Sequence, residues 1–256
     1  MASKFFFELL KFIRIKLCIF SVFISLIGYL MFNTTTYELV FVIITSFFLS
    51  AGTCAYNNMT DKKEDSINKK SNMFVDSGLS IASVCFLLAF LSSLFLPFIS
   101  ILFSIFITAT SIAYSFFKIK KYFLVKNFYS GVGTPQLFLL GTGSLKFPII
   151  LYYLLMSLFF FVGSLIADLR DYKGDKFVGV NTLPVCIGYE RTKTIIYLSL
   201  TLLLVLVLQS TFSPISIFII PMFVSVFKER IETAHSLGGT SLIFLTCWLG
   251  INRLLI

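Results

Sequence analysis

The chain has 256 residues, 57% of them hydrophobic, with 32 Phe and a mean hydropathy of +0.94, well beyond the roughly half-apolar balance of soluble domains. It carries 21 Lys and Arg against 12 Asp and Glu, a net charge of +9. These charges fall in short loops between apolar runs and never on one continuous polar face, which argues against a nucleic-acid partner. The composition is that of an integral membrane protein, and no polar stretch is long enough for a separate soluble module, so one membrane domain over 1–256 is expected.

In chain order, nine apolar segments approach the length that spans a bilayer core of about 30 Å. They lie near 17–32, 38–56, 75–95, 97–117, 123–143, 147–167, 194–211, 214–227 and 237–256. The expected fold class is all-α, a polytopic membrane protein of about nine transmembrane helices. The first segment follows a basic stretch and has no small-residue cleavage pattern behind it, so it reads as a span rather than a signal peptide. If the amino terminus is cytoplasmic, every Lys and Arg except Lys146 and Arg253 lies on the inner side. By the positive-inside rule this places the amino terminus and the charged loops in the cytoplasm and the carboxyl terminus outside. The acids follow the same side, Glu38 excepted. The five cysteines form no CxxC pair, and neither a disulfide framework nor a zinc site is indicated.

The outer connections are short and almost uncharged, whereas the inner ones are long and charged. The segment from Asp168 to Lys193 is the longest of these, and Gly174, Gly179, Pro184 and Gly188 mark it as turns and short helical pieces. Pro97, Pro148, Pro214 and Pro221 read as span starts or junctions.

Two carboxylate clusters stand where a span meets the inner face. In the first, Asn57, Asp61 and Asp65 are spaced four apart, one stripe on a continuing helix. In the second, Asp168, Asp171 and Asp175 repeat the pattern at spacings of three and four, if the sixth span continues past Ala167. Like charges so placed destabilise a helix, so the pattern is expected where something positive binds. Oxygen-only ligands suit Mg²⁺ or Mn²⁺ rather than zinc or copper, and Mg²⁺ is commonly shared between carboxylates and substrate phosphates. A solvated helix end would explain either cluster alone but not the repetition. Basic residues complete a diphosphate site: Lys118, Lys121 and Lys126 lie between the fourth and fifth spans, and Lys70, Arg170, Lys173 and Lys176 border the clusters. For Lys62, Lys63, Lys120 and Lys228 a purely topological role is preferred.

The motif Asn57-Asn58-x-x-Asp61-x-x-x-Asp65 resembles the first Asp-rich motif of the UbiA-type intramembrane prenyltransferases. Asp168-x-x-Asp171-x-x-x-Asp175, continuing Lys176-x-x-Gly179-x-x-Thr182-Leu183-Pro184, is similar to their second motif, and Ala113-Tyr114-Ser115-x-x-Lys118-x-x-Lys121, with the later Asn127 and Gly131 to Leu140, to the segment opening their fifth span. The resemblance covers essentially the whole chain. It implies a helical bundle around a central cavity opening to lipid, with two Mg²⁺ ions between the motifs, Mn²⁺ being the alternative metal. It also implies a polyprenyl diphosphate donor and a prenyl acceptor, together with membrane lipid as the surroundings.

Carried over by position, Asn57, Asp61 and Asp65 would serve one ion and Asp168, Asp171 and Asp175 the other, with Asp61, Asp65, Asp171 and Asp175 the catalytic set. Arg14, Lys70, Lys118, Lys121 and Arg170 would hold the diphosphate. Asn58 departs from the family's usual Asp and, on a helix, points away from the Asn57–Asp61–Asp65 stripe. Tyr56 and Tyr114 are candidates to stabilise an allylic cation through their ring faces, although packing aromatics are the commoner case. The acceptor leans toward geranylgeranylglyceryl phosphate, with aromatic acceptors such as 4-hydroxybenzoate or a quinone precursor the other members of the class. The alternative reading is a transporter or channel using the carboxylates as a cation site. The carboxylates gather at one face rather than at the midplane, which argues against it.

Overall fold

A computed structural model describes residues 2–33, 36–62, 73–119, 122 and 124–254. Among these the regular elements are helices: α1 (Ala2–Phe12), α2 (Ile15–Phe32), α3 (Thr36–Thr60), α4 (Gly78–Ser93), α5 (Phe98–Phe116), α6 (Val125–Gly133), α7 (Gln136–Thr142), α8 (Phe147–Val178), α9 (Leu183–Ile187), α10 (Tyr189–Leu208), a 3₁₀ turn at Ser213–Ile215, α11 (Ser216–Phe227) and α12 (Ile231–Leu254). Six of them, α2, α3, α5, α8, α10 and α12, are long and apolar enough to cross a membrane; α4 and the Ser213–Phe227 stretch are apolar but shorter.

Four differences from the sequence expectations have identifiable causes. Helix α1 lies ahead of the first expected span. Its Phe12 is buried, in the cluster with Ala55 and Phe74, while Phe5, Phe6 and Phe7 are exposed. The segment at 123–143 is not one helix but two, α6 and α7, separated at Thr134-Pro135. Pro135 has no backbone N–H to carry the helical hydrogen bonding across the junction, although Thr134 before it keeps helical dihedrals (φ −62, ψ −43). Gly174 does not start a loop, because α8 runs through it to Val178; a single glycine costs about 1 kcal/mol, which a long packed helix absorbs. Pro221 lies inside α11 rather than at a junction, a placement that membrane helices tolerate.

The chain divides into two compact units, one of Met1–Ile119 with Gln136–Leu145 and one of Lys120–Pro135 with Lys146–Ile256. In the first, α3 packs most extensively on α4, and α2 on α7 and α3. The α2–α7 contact is so close that a Cβ on Gly28 would lie 2.2 Å from the Phe138 carbonyl oxygen, and one on Gly141 1.9 Å from that of Ser25. The carbonyls ending α7 are taken up from outside it: Ser100 Oγ donates to Leu140 O at 2.7 Å, and Asn33 Nδ2 to Gly141 O at 3.0 Å and Thr142 O at 3.1 Å. In the second unit α8 is the common partner, contacted by α6, α9, α10 and α12, while α11 packs on α12.

Gly→Ala inside a helix ordinarily stabilises by up to about 1 kcal/mol. Gly141→Ala is expected to reverse that sign and destabilise by about 1–3 kcal/mol, because backbone must move to admit the methyl. The change is read as a lowered melting temperature of the purified protein in detergent. An unchanged or raised value would show that α2 and α7 have room between them.

Candidate active site

In the first unit the site is built at the end of α3. Asn57 accepts from Ser115 Oγ at 3.3 Å, and one turn earlier Thr53 Oγ1 donates to Ser111 Oγ at 3.0 Å, so a polar seam fixes the rotation of α3 against α5. The Asp61 backbone N–H donates to the Asn57 carbonyl at 2.9 Å, so the helical pattern reaches Asp61 and puts the two side chains on one stripe. Asp61 is 7% exposed. Lys62 pairs with Asp76. Lys118, just after α5, has a left-handed backbone (φ 51), and its N–H donates to Ser115 O at 3.3 Å.

Asn58 faces elsewhere, as the helical spacing predicts. Its Oδ1 accepts from Arg14 Nη2 at 2.7 Å, and its Nδ2 donates to Phe12 O at 2.6 Å. Arg14 stands at the elbow between α1 and α2 with φ 53, in the left-handed region. One amide therefore clamps both sides of a strained corner, with an acceptor for the guanidinium and a donor for the carbonyl. Asp, lacking the donor, cannot do both. Tyr56 packs against the cluster formed by Phe12, Ala55, Phe74 and their neighbours. Tyr114 is half-buried near the end of α5.

In the second unit the site is the last stretch of α8. That helix passes Ala167 without interruption, so Asp168, Asp171 and Asp175 do share one helix. Their surroundings differ sharply. Asp168 is 1% exposed; its Oδ1 accepts from Lys126 Nζ at 2.6 Å and its Oδ2 from Asn127 Nδ2 at 2.9 Å. Asp171 is exposed and is held by Arg170, with Nε to Oδ1 at 2.8 Å and Nη2 to Oδ2 at 2.9 Å. Asp175 is half-buried one turn further on. Lys126 lies within electrostatic reach of both Asp171 and Asp175, and His235 of α12 within reach of Asp171 and Arg170. Gly179 closes the helix in a left-handed conformation (φ 76), its N–H and that of Val180 both turning back to the Asp175 carbonyl. The glycine of the trailing motif is thus a cap. Pro184 then opens α9 in its first turn, where its missing N–H costs nothing.

Asp65, Lys70 and Lys121 lie outside the described residues. Among the described residues no three of His, Cys, Asp and Glu come together as a ligand set. In the sequence Asn127 belongs to the segment resembling the family's fifth span but carries no stated role, and Lys126 is one of four lysines between 118 and 126. No local spacing links them to Asp168, more than forty positions away.

With this geometry in hand, the comparisons give the class. The model of the UbiA prenyltransferase family matches residues 18–236, and the chain belongs to that family: it is a multi-pass membrane prenyltransferase. Digeranylgeranylglyceryl phosphate synthase of Methanocaldococcus jannaschii is 27% identical over 191 residues, covering 70% of this chain and 67% of the relative. The apo structure of a UbiA homolog from Aeropyrum pernix K1 superposes with a TM-score of 0.77 at 16% identity, over 93% of this chain and 98% of that one. A UbiA homolog from Archaeoglobus fulgidus bound to DMAPP and Mg²⁺ gives 0.71 at 14% identity, over 94% and 99%. A structure of a digeranylgeranylglyceryl phosphate synthase gives 0.72 at 23% identity, over 94% and 95%. These structures share the fold.

Asn58→Asp restores the commoner residue of the motif, yet the clamp predicts a loss. With the donor to Phe12 O gone and a carboxylate facing that carbonyl, stability should fall by about 1–3 kcal/mol, read as a lowered melting temperature. Asn58→Gln should not recover it, because its amide sits one methylene further out. A melting temperature unmoved by Asn58→Asp would mean that the elbow is held by something other than this amide.

Proposed function

We propose that this enzyme transfers a polyprenyl group from its diphosphate to geranylgeranylglyceryl phosphate, releasing diphosphate. The observation that carries the acceptor is the relative named digeranylgeranylglyceryl phosphate synthase, which aligns over 70% of this chain. An aromatic acceptor is the second possibility within the class, and the assay below decides between them.

The donor chemistry fits a hard divalent cation. Asp61, Asp171 and Asp175, with the amide oxygen of Asn57, offer oxygen donors at helix ends, and no sulfur or imidazole competes among those motif residues. Asn57, Asp61 and Asp65 would hold one ion and Asp171 and Asp175 the other, Asp168 of the second motif being considered below. Mg²⁺ is the expected metal, and Mn²⁺ would serve the same oxygens. A bound ion supplies positive charge against the leaving diphosphate.

The chain's own residues do the rest. By the resemblance, Arg170, Lys118 and Arg14 would take diphosphate oxygens, Arg as a planar fork once it releases Asp171 or Asn58 and Lys as a point charge. The prenyl tail is carried by the apolar helices, which keep water from the allylic carbon. The C–O bond to the diphosphate breaks with the electron pair leaving on oxygen. The acceptor oxygen bonds to the same carbon and loses its proton. Tyr56 and Tyr114 are the rings to examine for cation stabilisation.

Diphosphate release from geranylgeranyl diphosphate, measured on purified protein in detergent with Mg²⁺, tests the reading directly. Release that requires geranylgeranylglyceryl phosphate supports it, release that requires 4-hydroxybenzoate moves the acceptor to the aromatic class, and no release with any acceptor or donor length overturns it. In that assay Asp171→Ala is expected to lower turnover at least about a hundredfold while the protein still inserts and purifies. Full activity would remove Asp171 from the site.

The amino terminus and charged loops are proposed to be cytoplasmic. Cys186, exposed on α9 close behind the second cluster, reports on this. A membrane-impermeant maleimide should label Cys186 in inverted vesicles and spare it in intact cells. Labelling in intact cells would reverse the topology.

A further inference from the structure

Asp168 is the most deeply buried acid described, and its side chain is fully covered. Both carboxylate oxygens are committed, one to the Lys126 ammonium at 2.6 Å and one to the Asn127 amide at 2.9 Å. The Asn127 amide also donates to Ser164 Oγ at 3.0 Å, one turn back on α8. We propose that Asp168 is a positioning residue rather than a metal ligand: it fixes the Lys126 ammonium beside Asp171 and Asp175, where Lys126 binds the diphosphate of the prenyl donor. The inference rests on the reading of the enzyme as a user of prenyl diphosphate.

Three observations support this division of labour. A carboxylate that turned to a metal would abandon two charge-assisted or buried hydrogen bonds and leave the Asn127 amide, 2% exposed, short of an acceptor. The Lys126 side chain remains 36% exposed while its ammonium is held by Asp168, so the residue is fixed in place without being covered, as a cation presented to a ligand must be. Finally, α6 is secured at both ends. Leu124 just before it holds a left-handed backbone (φ 60), and near the far end Tyr153 Oη donates to Val132 O at 2.9 Å. A bulky residue keeps such a backbone only where its surroundings impose it. The second Asp-rich motif then contributes Asp171 and Asp175 to metal, four residues apart on the stripe that Asp168 begins, Asp171 by giving up an exposed pairing with Arg170, while the fully covered Asp168 works through Lys126.

The test separates metal affinity from donor affinity. Wild type, Asp168→Asn, Lys126→Met and the double variant are compared in the diphosphate-release assay for donor KM, kcat and the Mg²⁺ concentration at half-maximal rate. Each single variant is expected to raise donor KM about tenfold or more. The double variant should be no worse than the poorer single, and the Mg²⁺ midpoint should stay within about twofold of wild type throughout. Lys126→Arg, which keeps the charge, should recover part of the loss. A tenfold shift of the Mg²⁺ midpoint in Asp168→Asn, or a double variant whose loss is the product of the two singles, overturns the proposal. Should Asp168→Asn fail to fold, an unchanged donor KM in Lys126→Met overturns it equally. Wild type that releases no diphosphate brings down the functional reading and this inference together, whereas active wild type with the opposing variant pattern brings down this inference alone.

Discussion

Polar groups cannot be left to water along most of this chain, and the helices are arranged around that constraint. Hydroxyls in the apolar spans bond back to their own helix: Ser46 to Val42 O, Thr53 to Leu49 O, Thr108 to Ser104 O, Ser157 to Tyr153 O, Thr246 to Leu242 O. A few hydroxyls also reach a neighbouring helix, as in Thr45 with Ser92 and Thr53 with Ser111. In the absence of a strong hydrophobic drive between helices, such contacts and close packing set their rotation. The same seam continues to Asn57 and Ser115, so the azimuth of the first motif is decided within the apolar helix, beginning at Thr53, two turns before Asp61.

The second motif depends on length rather than rotation. At a rise of about 1.5 Å per residue, the 32 residues of α8 extend roughly 48 Å, against a hydrocarbon core of about 30 Å. The end bearing Asp168, Asp171 and Asp175 therefore projects beyond the core as a rigid continuation of the span. Carboxylates on a helix keep their separation better than carboxylates on a loop, which matters for groups that must meet a charged ligand at defined points. The Gly179 cap ends the rod directly after the last acid.

Much of this was legible in advance, and what was not has a common cause. Apolar run length located six spans of the nine expected, two further segments being shorter helices and one being broken at Pro135. The spacings of the acids anticipated the shared helix of Asp168, Asp171 and Asp175 and the stripe of Asn57 and Asp61, Asp65 lying outside the described residues. Asn58 was expected to point away from its stripe, and it does, but its partners Phe12 and Arg14 lie more than forty residues distant. The division of Asp168 from Asp171 and Asp175 was equally hidden, since it is made by Lys126 and Asn127 across the packing of α6 on α8. Local periodicity reports which residues share a face. It does not report what that face meets. The break at Pro135 and helix α1 did carry local signals, a helix-breaking residue and a short apolar run punctuated by Lys4, Glu8 and Lys11, that span-length runs do not include.

The break at Thr134-Pro135 has a further consequence for how the protein is made. Residues Lys120–Pro135 belong to one compact unit and Gln136–Leu145 to the other, so adjacent residues in the chain go to different bodies. During synthesis the first unit cannot close when its long helices emerge. The face of α2 at Gly28 stays bare until α7 arrives, and α6, which belongs with the later helices, has to be made before α7 and set aside. Neither unit exists as a continuous stretch of sequence, and cutting the chain at residue 119 would remove the helix that seals the first. The two bodies are interleaved by their own connectivity, which ties the maturation of one to the emergence of the other.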